Sequence, residues 1–247
     1  MGTFTDNFRK LASLQYFDHK AFCEDSLVSK EVCGFVLSLA LIYNDIKNAG
    51  LLNEAINNSR PSGSYIERQD WGEYTAMLNF IDRISMGILH ELFDLIKNHQ
   101  NVLENKFFKE VIKSINRDVK KLWQALVDTS LGNHSDNNLA KELMIIRNKI
   151  SYHYDPKAIS NGYKHIYENN ENSMKAYISR GNNMPESRFY FADAAVDGCL
   201  QNIYGSEDIS HFLDSISDDL QRLNHSLWHI INNFINKRGC GFRDKND

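Results

Sequence analysis

Residues 207–236 read EDISHFLDSISDDLQRLNHSLWHIINNFIN. Ile209, Phe212, Leu213, Ile216, Leu220, Leu223, Leu227, Ile230, Ile231 and Phe234 return along it at intervals of three and four. That period lines up apolar side chains on one face of an α-helix and leaves the opposite face polar. A helix of this length cannot bury its stripe alone, so the rest of the chain must supply partners of the same kind.

Working back toward the amino terminus, three more stretches carry the same period. Residues 105–129 place Phe108, Val111, Ile112, Ile115, Val119, Leu122, Trp123 and Leu126 on one face. Residues 69–99 carry a wide stripe of Met77, Phe80, Ile81, Ile84, Ile88, Leu89, Leu92, Phe93 and Ile96, and 26–57 repeat it with Phe35, Leu39, Ile42, Tyr43 and Ile46. The NNSRPSGS stretch at 57–64 is a loop by its Asn, Ser, Pro and Gly content. After LGNHSDNN, Ser135 or Asp136 caps a further helix with Leu139, Leu143, Ile146 and Ile150 as its seam. Residues 157–204 are the least regular, with ENNEN, RGNNMPES and an aromatic run, RFYFADAA, that suits a strand or the start of a helix.

These patterns predict an all-α fold, an up-and-down bundle of four to five long helices with an irregular excursion at about 157–204 before the last helix. Residues 1–25 read as an N-terminal arm, 26–236 as the bundle and 237–247 as a C-terminal tail. The chain has 247 residues, 42% of them apolar, and three prolines, enough to bury a substantial core. The longest apolar run, CGFVLSLALIY at 33–43, is about half of a membrane span, and no cationic-then-apolar leader opens the chain. A soluble, cytoplasmic protein with no membrane partner is the expectation. Cys23, Cys33, Cys199 and Cys240 are scattered without a C-x-x-C pair, as expected of reduced packing thiols.

The net charge of −4 is unevenly spread. Lys106, Lys109, Lys113, Arg117, Lys120 and Lys121 crowd one helix, and Lys141, Arg147, Lys149, Lys157 and Lys164 crowd the next region. Between Arg188 and Arg222 there are seven acidic residues and no basic one. The basic segments suit either a phosphate-bearing partner or the solvated faces of bundle helices.

Several chemistries lack their residues. The chain contains no H-E-x-x-H, no Glu-x-x-His, no G-x-S-x-G, no G-x-x-x-x-G-K and no G-x-G-x-x-G. His225 and His229 share a helix face and His90 adjoins Glu91 and Asp94, but each reads first as a packing or surface histidine. No metal and no cofactor is therefore expected.

One stretch has residues that suit a reaction: IIRNKISYHYDP, at 145–156. Cleaving RNA without a metal needs a base for the ribose 2′-hydroxyl, a cation for the phosphate and an acid for the leaving 5′-oxygen. Histidine titrates in the useful range and arginine's planar fork matches phosphate oxygens. His153 and Arg147 supply these, with Asn148 orienting the phosphate or the arginine. Tyr152 and Tyr154 are candidates to stack on a base, and Lys149 to bind the backbone. Pro156 disfavours helical geometry at Asp155, so the helix should end near His153. Six helical residues turn about 600°, which leaves Arg147 and His153 roughly 120° apart on a regular helix.

R-N-K-I-S-Y-H at 147–153 resembles the R-x(4–6)-H signature of the HEPN superfamily, α-helical bundles that include many metal-independent endoribonucleases of toxin–antitoxin, phage-defence and RNA-processing systems. The longer run RNKISYHYD, followed by RFYFADAA and one long helix, is similar to uncharacterised bacterial HEPN-like proteins over about 137–236. The resemblance implies that Arg147, Asn148 and His153 are catalytic, and that a homodimer pools two motifs in one cleft. It also implies an RNA substrate and an antitoxin or regulatory protein as partner. Antitoxin-regulated members often carry a tyrosine two residues after the histidine, where this chain has Asp155. The alternatives are a non-catalytic RNA- or nucleotide-binding module and a structural protein-interaction bundle.

Overall fold

The computed structural model describes residues 15–63, 69–132, 155–168, 175–180, 182–183, 187–205 and 208–244, with backbone alone at 204, 208–222 and 243–244. Among these the chain is all-α. Its helices are α1 (Lys30–Asn57), α2 (Gln69–Asn98), α3 (Gln100–Leu103), α4 (Lys106–Lys113), α5 (Arg117–Leu131), α6 (Pro156–Tyr167), α7 (Tyr190–Tyr204) and α8 (Asp208–Lys237). Two short strands, β1 (Gln15–Tyr16) and β2 (Arg243–Asp244), pair antiparallel, Gln15 with Asp244 and Tyr16 with Arg243.

The chain forms two compact units. One comprises Met1–Leu51, Ile88–Ala140 and Asp218–Asp247, the other Leu52–Gly87 and Lys141–Ser217.

The first unit is a helical bundle built on aromatic contacts. Phe35 of α1 meets Phe108 of α4 edge-on at 5.5 Å, and Phe108 meets Trp123 of α5 at 6.1 Å. Phe234 of α8 stacks on Phe22 at 5.4 Å and takes Phe107 edge-on at 5.7 Å. Ring pairs in these geometries add about 0.5–1.5 kcal/mol beyond the burial of their area. Leu39, Leu89, Leu92, Ile96, Leu227 and Ile230 are fully buried, as their place in the stripes predicts.

The helix expected over 105–129 is two helices. Asn105 caps α4 by accepting from the backbone N–H of Phe107 and Phe108, and Asn116 caps α5 by accepting from Asp118 N–H at 2.8 Å. The Ser114 hydroxyl donates to the Glu110 carbonyl at the end of α4. Ile115 stays buried within the connection, so the apolar stripe runs straight through the break.

Both ends of this unit are tied together by Arg238, just beyond α8. Its side chain is 6% exposed. Nε donates to the Ala21 carbonyl at 3.0 Å, Nη2 to those of Lys20 and Cys23, and Nη1 to the Asp25 carboxylate at 2.7 Å. The residues read as an arm are thus docked from Lys20 to Asp25. Gly239, at φ 71°, turns the chain back after the helix, a conformation glycine adopts without a Cβ penalty.

α1 has an 18-residue window of mean hydropathy 1.2, long and apolar enough to cross a membrane by length and composition, with a third of that window buried. Its buried face holds Val32, Phe35, Val36 and Leu39, while Leu37 and Leu41 are exposed.

In the second unit, the segment expected to be irregular holds two helices. Asp155 is extended (φ −69°, ψ 110°) and its carboxylate accepts from Lys157 N–H at 3.0 Å, with Pro156 at the first helical position of α6. Where Pro156 was expected only to end a helix, it begins one. α6 crosses α7 at glycine: a Cβ on Gly162 would lie 2.0 Å from the Ala195 carbonyl oxygen, and one on Gly198 would lie 2.2 Å from the Gly162 carbonyl oxygen. An isolated antiparallel bridge, Ser179 with Arg188, precedes α7. Phe80, placed in the α2 stripe by its spacing, is 42% exposed.

Candidate functional site

The six residues singled out by sequence, Arg147, Asn148, Lys149, Tyr152, His153 and Tyr154, lie outside the described residues, as does the helix expected to carry them. The described chain resumes at Asp155, two positions after His153. The backbone at that point is extended, and a new helix starts at Pro156.

Three arrangements in the second unit hold chemistry. The first is a pair of carboxylates on α2 and α7. Asn79 Nδ2 donates to Asp197 Oδ1 at 2.7 Å. Burial pushes Asp197 up to about 7; the Asn79 bond works against that, while the charges of Asp193 and Asp82 add to it. Burial alone raises Asp82 to about 6. Two carboxyl groups that hold protons near neutrality can donate or accept them there, a property that active sites often exploit and that buried structural carboxylates share.

The second is an arginine network at the start of α7. Arg188 Nε donates to Asp193 at 3.1 Å and Nη1 to Glu73 of α2 at 3.2 Å. Burial opposes the Arg188 charge, but Asp193 and then Glu73 hold it firmly protonated. Tyr190, in the same corner, lies against Gly72, where a Cβ would meet its ring at 2.6 Å. These contacts occupy Arg188 in joining α2 to α7.

The third is a cleft of about 460 Å³ lined by Pro156, Ile159, Ser160 and Tyr163 of α6 and by Phe191, Ala192 and Ala195 of α7. Its rings continue into a row. Tyr167 lies 4.6 Å from Tyr163, Tyr163 meets Phe191 edge-on at 6.5 Å, and Phe191 meets Phe189 at 5.9 Å. Burial, with the nearby Tyr163 and Asp197, raises the Tyr167 phenol.

Outside this unit the other candidates are quieter. In the lysine-rich helices, Lys109 bonds Glu104, Lys113 lies 3.6 Å from Glu110, Lys121 lies 3.8 Å from Asp118, and Lys120 donates to the Lys113 carbonyl. Much of that basic segment is balanced locally. His225 and His229 meet edge-on at 4.6 Å, and burial, then His225, lowers His229. His90 is 5% exposed with Nδ1 3.5 Å from Asp94, outside hydrogen-bonding geometry. Among the described residues no three His, Cys, Asp or Glu side chains are grouped to hold a metal ion. All four cysteines are free thiols.

Sequence reasoning did not single out Asp82, Asn79, Asp197, Tyr163 or Phe191. One signal was present in α2, where Asn79, Asp82 and Arg83 interrupt an otherwise apolar stretch. In α7 the signal was weaker, since Asp197 lies in a run of small residues that periodicity does not register.

No protein-family model, curated protein or solved structure matches the chain. What stands is the all-α class.

Proposed function

We propose that the protein is a metal-independent endoribonuclease of HEPN type. His153 acts as base or acid at the ribose 2′-hydroxyl and the leaving oxygen, Arg147 stabilises charge on the scissile phosphate, and Asn148 orients one or the other. Tyr152, Tyr154 and Lys149 hold the RNA. Two copies of the chain pool their motifs, in the cytoplasm, in a toxin or phage-defence setting with an antitoxin or regulatory partner.

The observation that carries this reading is the residue set R-N-K-I-S-Y-H ending two positions before Asp155, whose backbone is extended and caps a new helix at Pro156. A regular helix separates an arginine from a histidine six positions on by roughly 120°, and a break close to the histidine is what lets such a pair converge. The all-α fold supports it, as does a ring-lined cleft at the first turns of α6.

The test uses purified full-length protein and a mixed RNA pool in excess EDTA. Cleavage by the wild type and its loss in His153→Ala and Arg147→Ala, with unchanged circular dichroism, is the expected result. Equal survival of the RNA with wild type and His153→Ala ends the catalytic reading. RNA binding without cleavage, weakened by Arg147→Ala and by salt, would select a non-catalytic RNA-binding module instead.

A further inference from the structure

The geometry points to a base-stacking site for single-stranded RNA on α6 and the start of α7, with Tyr163 and Phe191 holding a nucleobase and Lys157 and Lys164 meeting the adjacent phosphates. The choice of RNA as ligand rests on the ribonuclease reading. The site itself rests on side chains outside the motif.

The cleft's 460 Å³ lies within the range that takes a small ligand, and it is open to solvent. Its large walls are rings, and Ser160 and Tyr163 alone bring side-chain hydroxyls. A cavity of that kind offers faces to stack on and few hydrogen bonds with which to tell bases apart. That is the composition of sequence-tolerant single-strand sites, where every base brings a π-face.

The row is also accessible. Tyr163 is 36% exposed and Phe189 is 59% exposed, so rings usually withdrawn from water remain partly wet.

Charge agrees with a polyanion. Lys157, Ser160 and Lys164 follow one another at intervals of three and four on α6, so the lysines border the strip of Ser160 and Tyr163; both are exposed. The helical rise sets them roughly 10 Å apart along the axis, suited to two phosphates of one extended strand. Of the two acids that flank this helix, Asp155 is turned to the backbone N–H of Lys157 as the helix cap, and Glu168 lies one turn beyond Lys164 at the far end. Arg180, also exposed, lies in the segment that bridges to Arg188 just before the row's first ring.

The test is a titration of full-length His153→Ala protein, which keeps the RNA whole, with a short single-stranded RNA containing 2-aminopurine. Stacking quenches the probe, and Tyr163→Ala should weaken binding about tenfold or more and remove the quench. Tyr163→Trp should restore both, and Lys157→Ala with Lys164→Ala should flatten the dependence of affinity on salt. Equal affinity and quench in Tyr163→Ala overturns the site, as does the absence of any RNA binding. So does loss of self-association in Tyr163→Ala without loss of RNA binding, which would make the row a face between copies. RNA held through Tyr163 by a wild type that never cleaves it supports the site and ends the ribonuclease reading. Cleavage that needs His153 but is indifferent to Tyr163 does the reverse.

Discussion

Gly162 and Gly198 meet backbone to backbone, with room at neither for a Cβ: the atoms in the way are the Ala195 carbonyl at 2.0 Å and the Gly162 carbonyl at 2.2 Å. Backbone in mid-helix cannot step aside as the tip of a side chain can. Gly162→Ala and Gly198→Ala should each therefore destabilise the protein by about 2 kcal/mol or more, and the double variant should cost less than the sum. Chemical denaturation measures this, and a loss below about 0.5 kcal/mol in both single variants would contradict the contact.

The same contact explains why α6 and α7 were hard to see in the sequence. The residues that α6 buries are Ala158, Gly162 and Ile166, and α7 buries Ala195, Val196, Gly198, Cys199 and Leu200. Helices that are short and pack through small residues offer no long stripe of large apolar side chains, so the region reads as irregular. The long helices α1, α2 and α8 pack through Phe, Leu and Ile, and their ends were legible to within a few residues. The break between α4 and α5 was hidden for the opposite reason, because buried Ile115 continues the stripe between the end of α4 at Ser114 and the new start that the Asn116 side chain caps. Of the candidate site, the motif was legible as a pattern of residue types. The ring row and the carboxylate pair were not, since Asn79 and Asp197 are 118 positions apart and only tertiary packing joins them.

The carboxylate pair makes stability depend on pH. Burial raises Asp197 to about 7 and Asp82 to about 6, above the ordinary 3.8 of an aspartate. Between about pH 4 and 7 the folded protein then keeps protons that the unfolded chain releases, so these groups favour folding below that window and progressively cease to as pH rises through it. Asp197→Asn, which cannot ionise, should gain roughly 2–4 kcal/mol on the wild type between pH 5 and pH 8. Urea midpoints for both proteins across that range decide it, and parallel pH profiles would show that Asp197 does not titrate there.

Arg238 anchors the amino-terminal segment through bonds to three carbonyls and the Asp25 carboxylate. Removing a buried guanidinium strands those acceptors, and Arg238→Ala should cost about 2–4 kcal/mol. Arg238→Lys should recover only part of this, since one ammonium cannot span the fork. Asp25 is held below the usual carboxylate range, first by the Leu27 N–H and then by Arg238. Its share of the anchor is therefore present above about pH 4 and lost as pH falls below it. Amide exchange over residues 19–28 should accelerate in Arg238→Ala; unchanged protection would contradict the anchor.

Arg188 joins Glu73 and Asp193, and these contacts tie α2 to the start of α7. Arg188→Ala should lower stability by about 1–3 kcal/mol and loosen the ring row, visible as faster proteolysis near residues 177–191. If RNA cleavage were abolished while stability and proteolysis stayed as in the wild type, Arg188 would belong to the chemistry and not to the scaffold.

The most direct measurement is the chemistry of the RNA ends. Wild-type protein in excess EDTA should leave 2′,3′-cyclic phosphate and 5′-hydroxyl termini, and His153→Ala and Arg147→Ala should leave the RNA intact while melting at the wild-type temperature. Cleavage that stops in EDTA, or that persists undiminished in His153→Ala, would contradict a metal-independent ribonuclease built on this motif.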